Sequence, residues 1–396
     1  MAHSYRILTL NKISVQGLKR FPKSAYQVGT DIADPDAILV RSQGMHEMDI
    51  PASVKAIARA GAGTNNVPVK KMSERGVPVF NAAGANANAV KELVVAGMLL
   101  AARNIVPALQ FTSGLQGDDA TLHKLVEEGK KNYAGIELRG RTLGIVGLGA
   151  IGRLVADTAL NLGMHVYGFD PEITVDAAWS LSAQVKKAHS IEELLKHSDF
   201  VTVHVPLLDA TRGLLNEQRV QAMKSGSVLL NFSRDAIVDG DAVLAALESK
   251  HLRAYVCDFP AQKMQGKDRV VTLPHLGAST EEAEENCAVM VVDQVREYLE
   301  HGNVTNTVNF PILVMPRESA FRLAIVNSNV PNMLGQISTT LAAAGINIHN
   351  MMNKSRGEIA YTLVDTDSTV PPESLGKIAA IPGVLMVRDL PLSTMA

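Results

Sequence analysis

The chain has 396 residues, 46% hydrophobic and 20% charged, with 38 basic against 40 acidic side chains. It is long enough for more than one core, and its balanced charge excludes a broad electrostatic pull toward nucleic acid or an anionic membrane. Two cysteines, Cys257 and Cys287, are too few for a disulfide scaffold or a structural zinc site, and no apolar run is long enough to span a bilayer. The expectations are therefore a cytoplasmic protein with no metal site, no nucleic-acid partner and no membrane partner.

From the N-terminus, short β-branched runs (YRILTL, AILVRS, VKAIARAG, VPVFNAA) alternate with helical patterns such as NANAVKELVVAGMLLAARNI, which predicts parallel α/β units. Residues 111–138 are more polar and glycine-containing, and read as loops with a short exposed helix at a domain edge. From Arg141 the alternation restarts through TLGIV, DFVTVHVPL, SVLLNFS, RAYVCDF and VVTLPH, a second parallel sheet. After His301 a connector containing Pro and Asn leads into residues 320–396, whose pattern is βαββαβ, the split-βαβ arrangement.

Gly147, Gly149 and Gly152 form G-x-G-x-x-G between the apolar run TLGIV and a helical pattern. The first glycine suits a tight turn, the second lets a pyrophosphate approach the backbone, and the third lets helix and strand pack closely. The same glycines would also serve a plain strand-to-helix turn. Asp170, at the end of the next strand, adds a carboxylate suited to the adenosine-ribose hydroxyls and unfavourable to a 2′-phosphate, which points to NAD.

On ARAGAGTNNV, GLGAIG, HVPLLDATRGLLN, LLNFSRDAIVDGDAVLAAL and LPHLGASTEEAEENC, in that order, the chain resembles the D-2-hydroxyacid dehydrogenase family. Within it, the chain is most similar to the D-3-phosphoglycerate dehydrogenases that carry a C-terminal ACT domain. The resemblance implies two doubly wound parallel-sheet domains. A Rossmann-type NAD domain (residues 99–277) is inserted in a flavodoxin-like substrate domain (residues 1–98 and 278–310), and a linker (311–319) leads to an ACT domain (320–396). It implies oxidation of 3-phospho-D-glycerate to 3-phosphooxypyruvate, the entry to L-serine synthesis. The rivals are oxidation of another D-2-hydroxy acid, and a non-catalytic NAD-sensing adaptor.

Carried over residue by residue, the resemblance makes Arg234 the anchor of the substrate carboxylate and His275 the acid/base that takes the C2 hydroxyl proton. It places Ala150, Ile151, Val205, Pro206, Thr211, Phe232, Asp258, Gly277 and Ala278, with Arg234, His275, the glycines and Asp170, against the cofactor. Asp258 would accept from the nicotinamide amide. On the substrate side it implies Arg41, Ser42, Arg59, Ala62 and Gly63, and in the ACT region Asn327, Asn329 and Asn347 as contacts for an L-serine effector. A homo-oligomer is implied as well. Three departures stand out. The glutamate that pairs with the catalytic histidine in most relatives is replaced by Gln262 or Lys263, Asp235 stands where a glycine is usual, and Asn332 replaces the glycine of the effector loop.

Overall fold

The computed structural model describes residues 4–392, which divide into two compact units, residues 4–86 with 281–392, and Ala87–Thr280. In the first unit, β1 (Tyr5–Leu10), β2 (Tyr26–Gly29), β3 (Ala37–Val40), β4 (Ala56–Arg59) and β5 (Val79–Asn81) form a parallel sheet in the order β2-β1-β3-β4-β5. This is the flavodoxin-like order, in which ligands gather at the carboxyl ends of the strands. Every residue of β3 is buried, as a strand covered on both faces requires. Helix Glu281–His301 lays Cys287, Ala288, Val291, Val292, Val295, Tyr298 and Leu299 into the core formed with Ile7, Leu39, Ala58 and Phe80. Its buried positions recur every three to four residues, so one apolar stripe faces the sheet.

In the second unit, β6 (Thr142–Val146), β7 (His165–Phe169), β8 (Lys186–Lys187), β9 (Phe200–Val203), β10 (Ser227–Asn231), β11 (Leu252–Cys257) and β12 (Val270–Thr272) form a parallel sheet ordered β12-β11-β10-β9-β6-β7-β8. The strand order reverses between β6 and β9, the switch point where a dinucleotide binds in such sheets. Helix Ala87–Ala102 packs Val94, Met98 and Ala101 into this core. The expected boundary after residue 98 thus falls inside a helix, and the chain divides before it, because that helix buries its apolar face on the nucleotide sheet. Residues 111–138 hold more helix than expected. Helices Ile105–Ser113 and Asp119–Gly129 bury none of their residues.

The C-terminal region has β13 (Phe321–Ser328), β14 (Ile348–Arg356), β15 (Ile359–Thr366) and β16 (Val384–Asp389) in an antiparallel sheet ordered β14-β15-β13-β16, with helices Met333–Ala343 and Pro372–Ala379 between strands. This is the expected βαββαβ. Leu323, Ile325 and Val364 face the helices, whereas Ala324, Val326, Tyr361 and Leu363 enter the same core as Tyr298 and Phe310. A strand apolar on both faces needs cover on both, so this sheet is part of the first unit. The segment expected as a linker is likewise packed, with Leu313 and Met315 fully buried.

Candidate active site

The glycine loop opens directly after β6. Gly147 has φ +95°, a left-handed value that glycine adopts without strain. A Cβ on Gly152 would lie 2.0 Å from the Gly147 carbonyl oxygen, so helix Ala150–Asn161 meets the loop backbone with no room for a side chain. Gly149 differs, since a Cβ there would meet nothing within 4 Å. It precedes a helix N-terminus without a side-chain cap, which leaves first-turn N–H groups without an intrahelical acceptor. An uncapped, positively polarised helix end behind a side-chain-free loop fits a pyrophosphate. Asp170 braces this loop, accepting from the Leu148 N–H at 2.8 Å and the Glu172 N–H at 3.0 Å. The Glu172 contact closes a turn on Asp170 itself, while the Leu148 contact ties the carboxylate to the loop.

The loop after β9 carries Val205 and Pro206. Thr211 Oγ1 closes it by donating to the Pro206 carbonyl at 2.5 Å and accepting from the Leu208 N–H at 2.8 Å. Ser233 donates from Oγ to the Val205 carbonyl, joining this loop to the one after β10. Phe232 is buried, its ring pressed against the Gly97 backbone, so its side chain belongs to the core.

Arg234 follows β10 and is exposed; one Nη donates to the Ser233 carbonyl at 2.7 Å. No ion pair with Asp235 forms among the described residues, so the guanidinium keeps most of its donors. Buried Asn231 shapes the turn, donating to the Arg234 carbonyl at 2.9 Å and accepting from the Ser233 N–H at 3.1 Å.

His275 lies after β12 with φ +57°, rare for a residue with a Cβ. Its N–H donates to the Asp258 carbonyl at 3.2 Å, and the Asp258 carboxylate accepts from the Leu276 and Gly277 N–H groups, each at 2.7 Å. Asp258 is 1% exposed, so it is a brace for the histidine turn, a role beyond the amide contact expected of it. The ring meets Phe259 edge-on at 5.3 Å between centroids. Among the described residues it makes no hydrogen bond or ion pair. Lys263 is turned to Asp241 at 2.8 Å and Gln262 is exposed, so neither substitutes for the missing glutamate. Ala278 follows half-buried in the same loop.

In the first unit, Arg41 and Arg59 leave adjacent strands at their carboxyl ends, Val40 pairing with Arg59. The Arg59 Nε donates to the Arg41 carbonyl at 3.0 Å, and its guanidinium lies where a Cβ on Gly61 would be. Ala62 and Gly63 are half-buried, and the Ala62 carbonyl accepts from Asn81 at 2.6 Å. Ser42 and Gln43 give their N–H groups to Asn11 Oδ1 at 3.3 and 2.6 Å. Arg41 forms a two-point ion pair with Glu284, at 2.5 Å for each contact, and this holds the Glu284 carboxyl below the usual carboxylate range. Sequence reading missed Glu284, whose only signal was its place in the first turn of the helix that follows the histidine motif.

The three effector asparagines do not come together within the chain. Asn327 lies next to last in β13 opposite Ala360, and Asn329 donates to the Gly357 carbonyl at 3.1 Å. Asn347 precedes Ile348, which pairs with Thr366 at the other end of the sheet. Asn327 is 1% exposed with its Oδ1 unpartnered. Asn332 takes φ +65°, as the replacement of a glycine requires. Among the described residues no cluster of three or more His, Cys, Asp or Glu side chains is placed to hold a metal ion, and no single helix is long and apolar enough to cross a membrane.

Residues 95–278 match the family model described as D-isomer specific 2-hydroxyacid dehydrogenase, NAD binding domain. The D-3-phosphoglycerate dehydrogenase of Escherichia coli (strain K12) is 31% identical over 380 residues, 92% of this chain and 89% of that protein. The enzyme of the same name from Haemophilus influenzae is 33% identical over 340 residues, covering 83% and 79% of the two chains. Among solved structures, the TT0316 protein of Thermus thermophilus is 27% identical with a TM-score of 0.61, covering 76% of this chain and 99% of that one. The NAD+-bound 3-phosphoglycerate dehydrogenase of Entamoeba histolytica shares the fold at 24% identity and a TM-score of 0.61, covering 78% and 100%. With a glycine loop, an arginine turn and a braced histidine on a sheet of this order, and with curated relatives matched over 79–89% of their length, the chain belongs to the D-isomer specific 2-hydroxyacid dehydrogenase family.

Proposed function

We propose that this protein oxidises 3-phospho-D-glycerate to 3-phosphooxypyruvate with NAD, the first step of L-serine synthesis. The observation that carries the reading is the pairing of two committed turns with uncommitted side chains. Asp258 braces the His275 turn and Asn231 the Arg234 turn, while among the described residues the imidazole and most of the guanidinium N–H groups have no hydrogen-bond or ion-pair partner. Preorganised groups with unspent hydrogen-bonding capacity are what a reacting substrate needs. The Escherichia coli relative, similar over 92% of this chain, supports the phosphorylated substrate.

Bound NAD would supply the acceptor for the hydride leaving C2, resting on the Gly147–Gly152 loop with Asp170 at its ribose. Arg234 binds the substrate carboxylate through paired charge-assisted hydrogen bonds, which fixes C2. The neutral His275 imidazole takes the C2 hydroxyl proton, and in the reverse direction the protonated ring returns it. Arg41, Ser42, Arg59 and the Ala62–Gly63 backbone receive the distal phosphate. The internal pairing of Arg41 favours, as a second reading, a D-2-hydroxy acid with an uncharged distal group.

The same reading includes a homo-oligomer in the cytoplasm. Cys257 and Cys287 are both buried, and burial raises both thiols, which suits a reducing compartment. β14 is an open edge of nine residues. Antiparallel pairing of two such edges would bring a second copy's Asn347 to the Asn327 and Asn329 end of the first, completing an L-serine site.

The test follows NADH formation from NAD and 3-phosphoglycerate, with the keto product trapped and Arg234→Ala alongside. Turnover that the variant loses supports the assignment. Turnover only with D-lactate or D-glycerate moves the substrate, and NAD binding without any turnover favours an adaptor. Initial rates and melting temperature that ignore millimolar L-serine would overturn the effector assignment.

A further inference from the structure

We propose that Glu284 is a specificity-determining residue of the Arg41 subsite, an internal carboxylate that holds the arginine until the distal anion of the substrate displaces it. The inference rests on the assignment of Arg41 to substrate binding. Both oxygens of Glu284 meet the two terminal nitrogens of Arg41 at 2.5 Å, the two-point geometry with which a guanidinium receives a substrate carboxylate or phosphate. The subsite is therefore already filled by a group of the same chemistry as its ligand.

The pair is not a core fastening. Arg41 and Glu284 side chains are 33% and 43% exposed, and a pair so open to water adds little to stability. The surroundings can accept its rearrangement. Lys12 also lowers the Glu284 carboxyl, so some positive potential remains when Arg41 leaves. Arg59 Nε donates to the Arg41 carbonyl at 3.0 Å, so a second arginine is anchored beside the pair. Glu284 sits in the first turn of helix Glu281–His301, where the helix dipole favours a carboxylate, so its charge persists after the pair opens.

Two consequences follow for substrate choice. A dianionic phosphate must compete with Glu284 for Arg41, and then lies beside a residual negative charge. An uncharged distal group meets neither cost. Glu284 thus narrows the advantage of phosphorylated over unphosphorylated 2-hydroxy acids, acting on KM and leaving the chemistry at C2 alone.

The experiment compares wild type, Glu284→Gln, Arg41→Gln and the double variant, using 3-phospho-D-glycerate and, as substrate or competitive inhibitor, D-glycerate. Glu284→Gln is expected to lower KM for the phosphorylated substrate roughly three- to tenfold, with kcat within about twofold and D-glycerate affinity unmoved. The double variant should lose that gain. An unchanged or raised KM, or an equal drop for both ligands, overturns the proposal, and a fall in melting temperature without the KM shift assigns the pair to structure. If wild type turns over no hydroxy acid, the proposed activity fails by itself. Calorimetric titration of inorganic phosphate into the NADH complex then decides the gate. Tighter binding to Glu284→Gln supports it, and equal affinity overturns it.

Discussion

The Asp258 carboxylate accepts the Gly277 N–H on one oxygen and the Leu276 N–H on the other, each at 2.7 Å, so one buried side chain fixes the backbone that carries His275. Asp258→Asn would turn an amide donor toward a backbone donor and leave a buried N–H unpaired, at a cost of about 1–3 kcal/mol to the turn. A kcat roughly tenfold lower or more is expected, since misplacing the reacting group erodes orientation. Steady-state kinetics beside NADH affinity checks this, and a variant with wild-type kcat removes the bracing role.

The two glycines of the phosphate loop should fail differently. Gly149→Ala has space for its methyl group in the free protein, so its melting temperature should match wild type while NADH binds at least roughly tenfold more weakly. Gly152→Ala drives its methyl group into the Gly147 carbonyl and should lose about 1–3 kcal/mol of stability, the range for an overpacked site. Thermal melts and fluorescence titration with NADH separate the two. Equal effects on both readouts would refute the distinction.

His204, after β9, has an enclosed ring with Nδ1 unpartnered and Nε2 3.0 Å from Thr202 Oγ1, and burial pushes its imidazolium down to about 3. A histidine depressed in the folded state stays neutral there and takes up a proton on unfolding. The stability tied to it is present above the unfolded value near 6.5 and drains as pH falls, by about 1.4 kcal/mol per pH unit. Urea unfolding between roughly pH 6.5 and 4.5 should show this slope in wild type and a flatter line in His204→Gln. Parallel lines would place the proton elsewhere.

Arg322 and Asp365 form an ion pair with no exposed side-chain surface. The guanidinium spends all five N–H groups, two on Asp365 at 2.6 and 2.8 Å and three on the carbonyls of His301, Met315 and Pro316 at 2.9–3.1 Å. Burial alone would raise the Asp365 carboxyl, but Arg322 and the Glu318 N–H outweigh it and hold it low. Asp365→Asn strands a buried cation and should cost about 3–5 kcal/mol in urea unfolding. Arg322→Met with Asp365→Leu should cost less than the single change, because no charge is left unpaired, and the reverse order would count against this account.

Much of the fold was legible in local sequence. The alternation of β-branched runs with helical patterns predicted two parallel sheets and a βαββαβ unit. Gly147, Gly149 and Gly152 stood at the spacing that a loop between strand and helix imposes, and Asp170 at the end of the strand that follows. These features depend on periodicity and on steric limits along the chain, so the sequence by itself determined them.

Tertiary structure decided the rest. Asn231 beneath Arg234, Asp258 beneath His275 and Glu284 across from Arg41 are common polar residues whose roles come from partners brought near by the sheet, in the last case from 243 positions away. It also decided that Asn347 lies at the far end of its sheet from Asn327, and that the C-terminal sheet shares a core with helix Glu281–His301. The strand run IAYTLVDT announces two apolar faces, but which surface covers the second is a matter of packing, and packing energies belong to pairs of surfaces that a linear pattern does not contain.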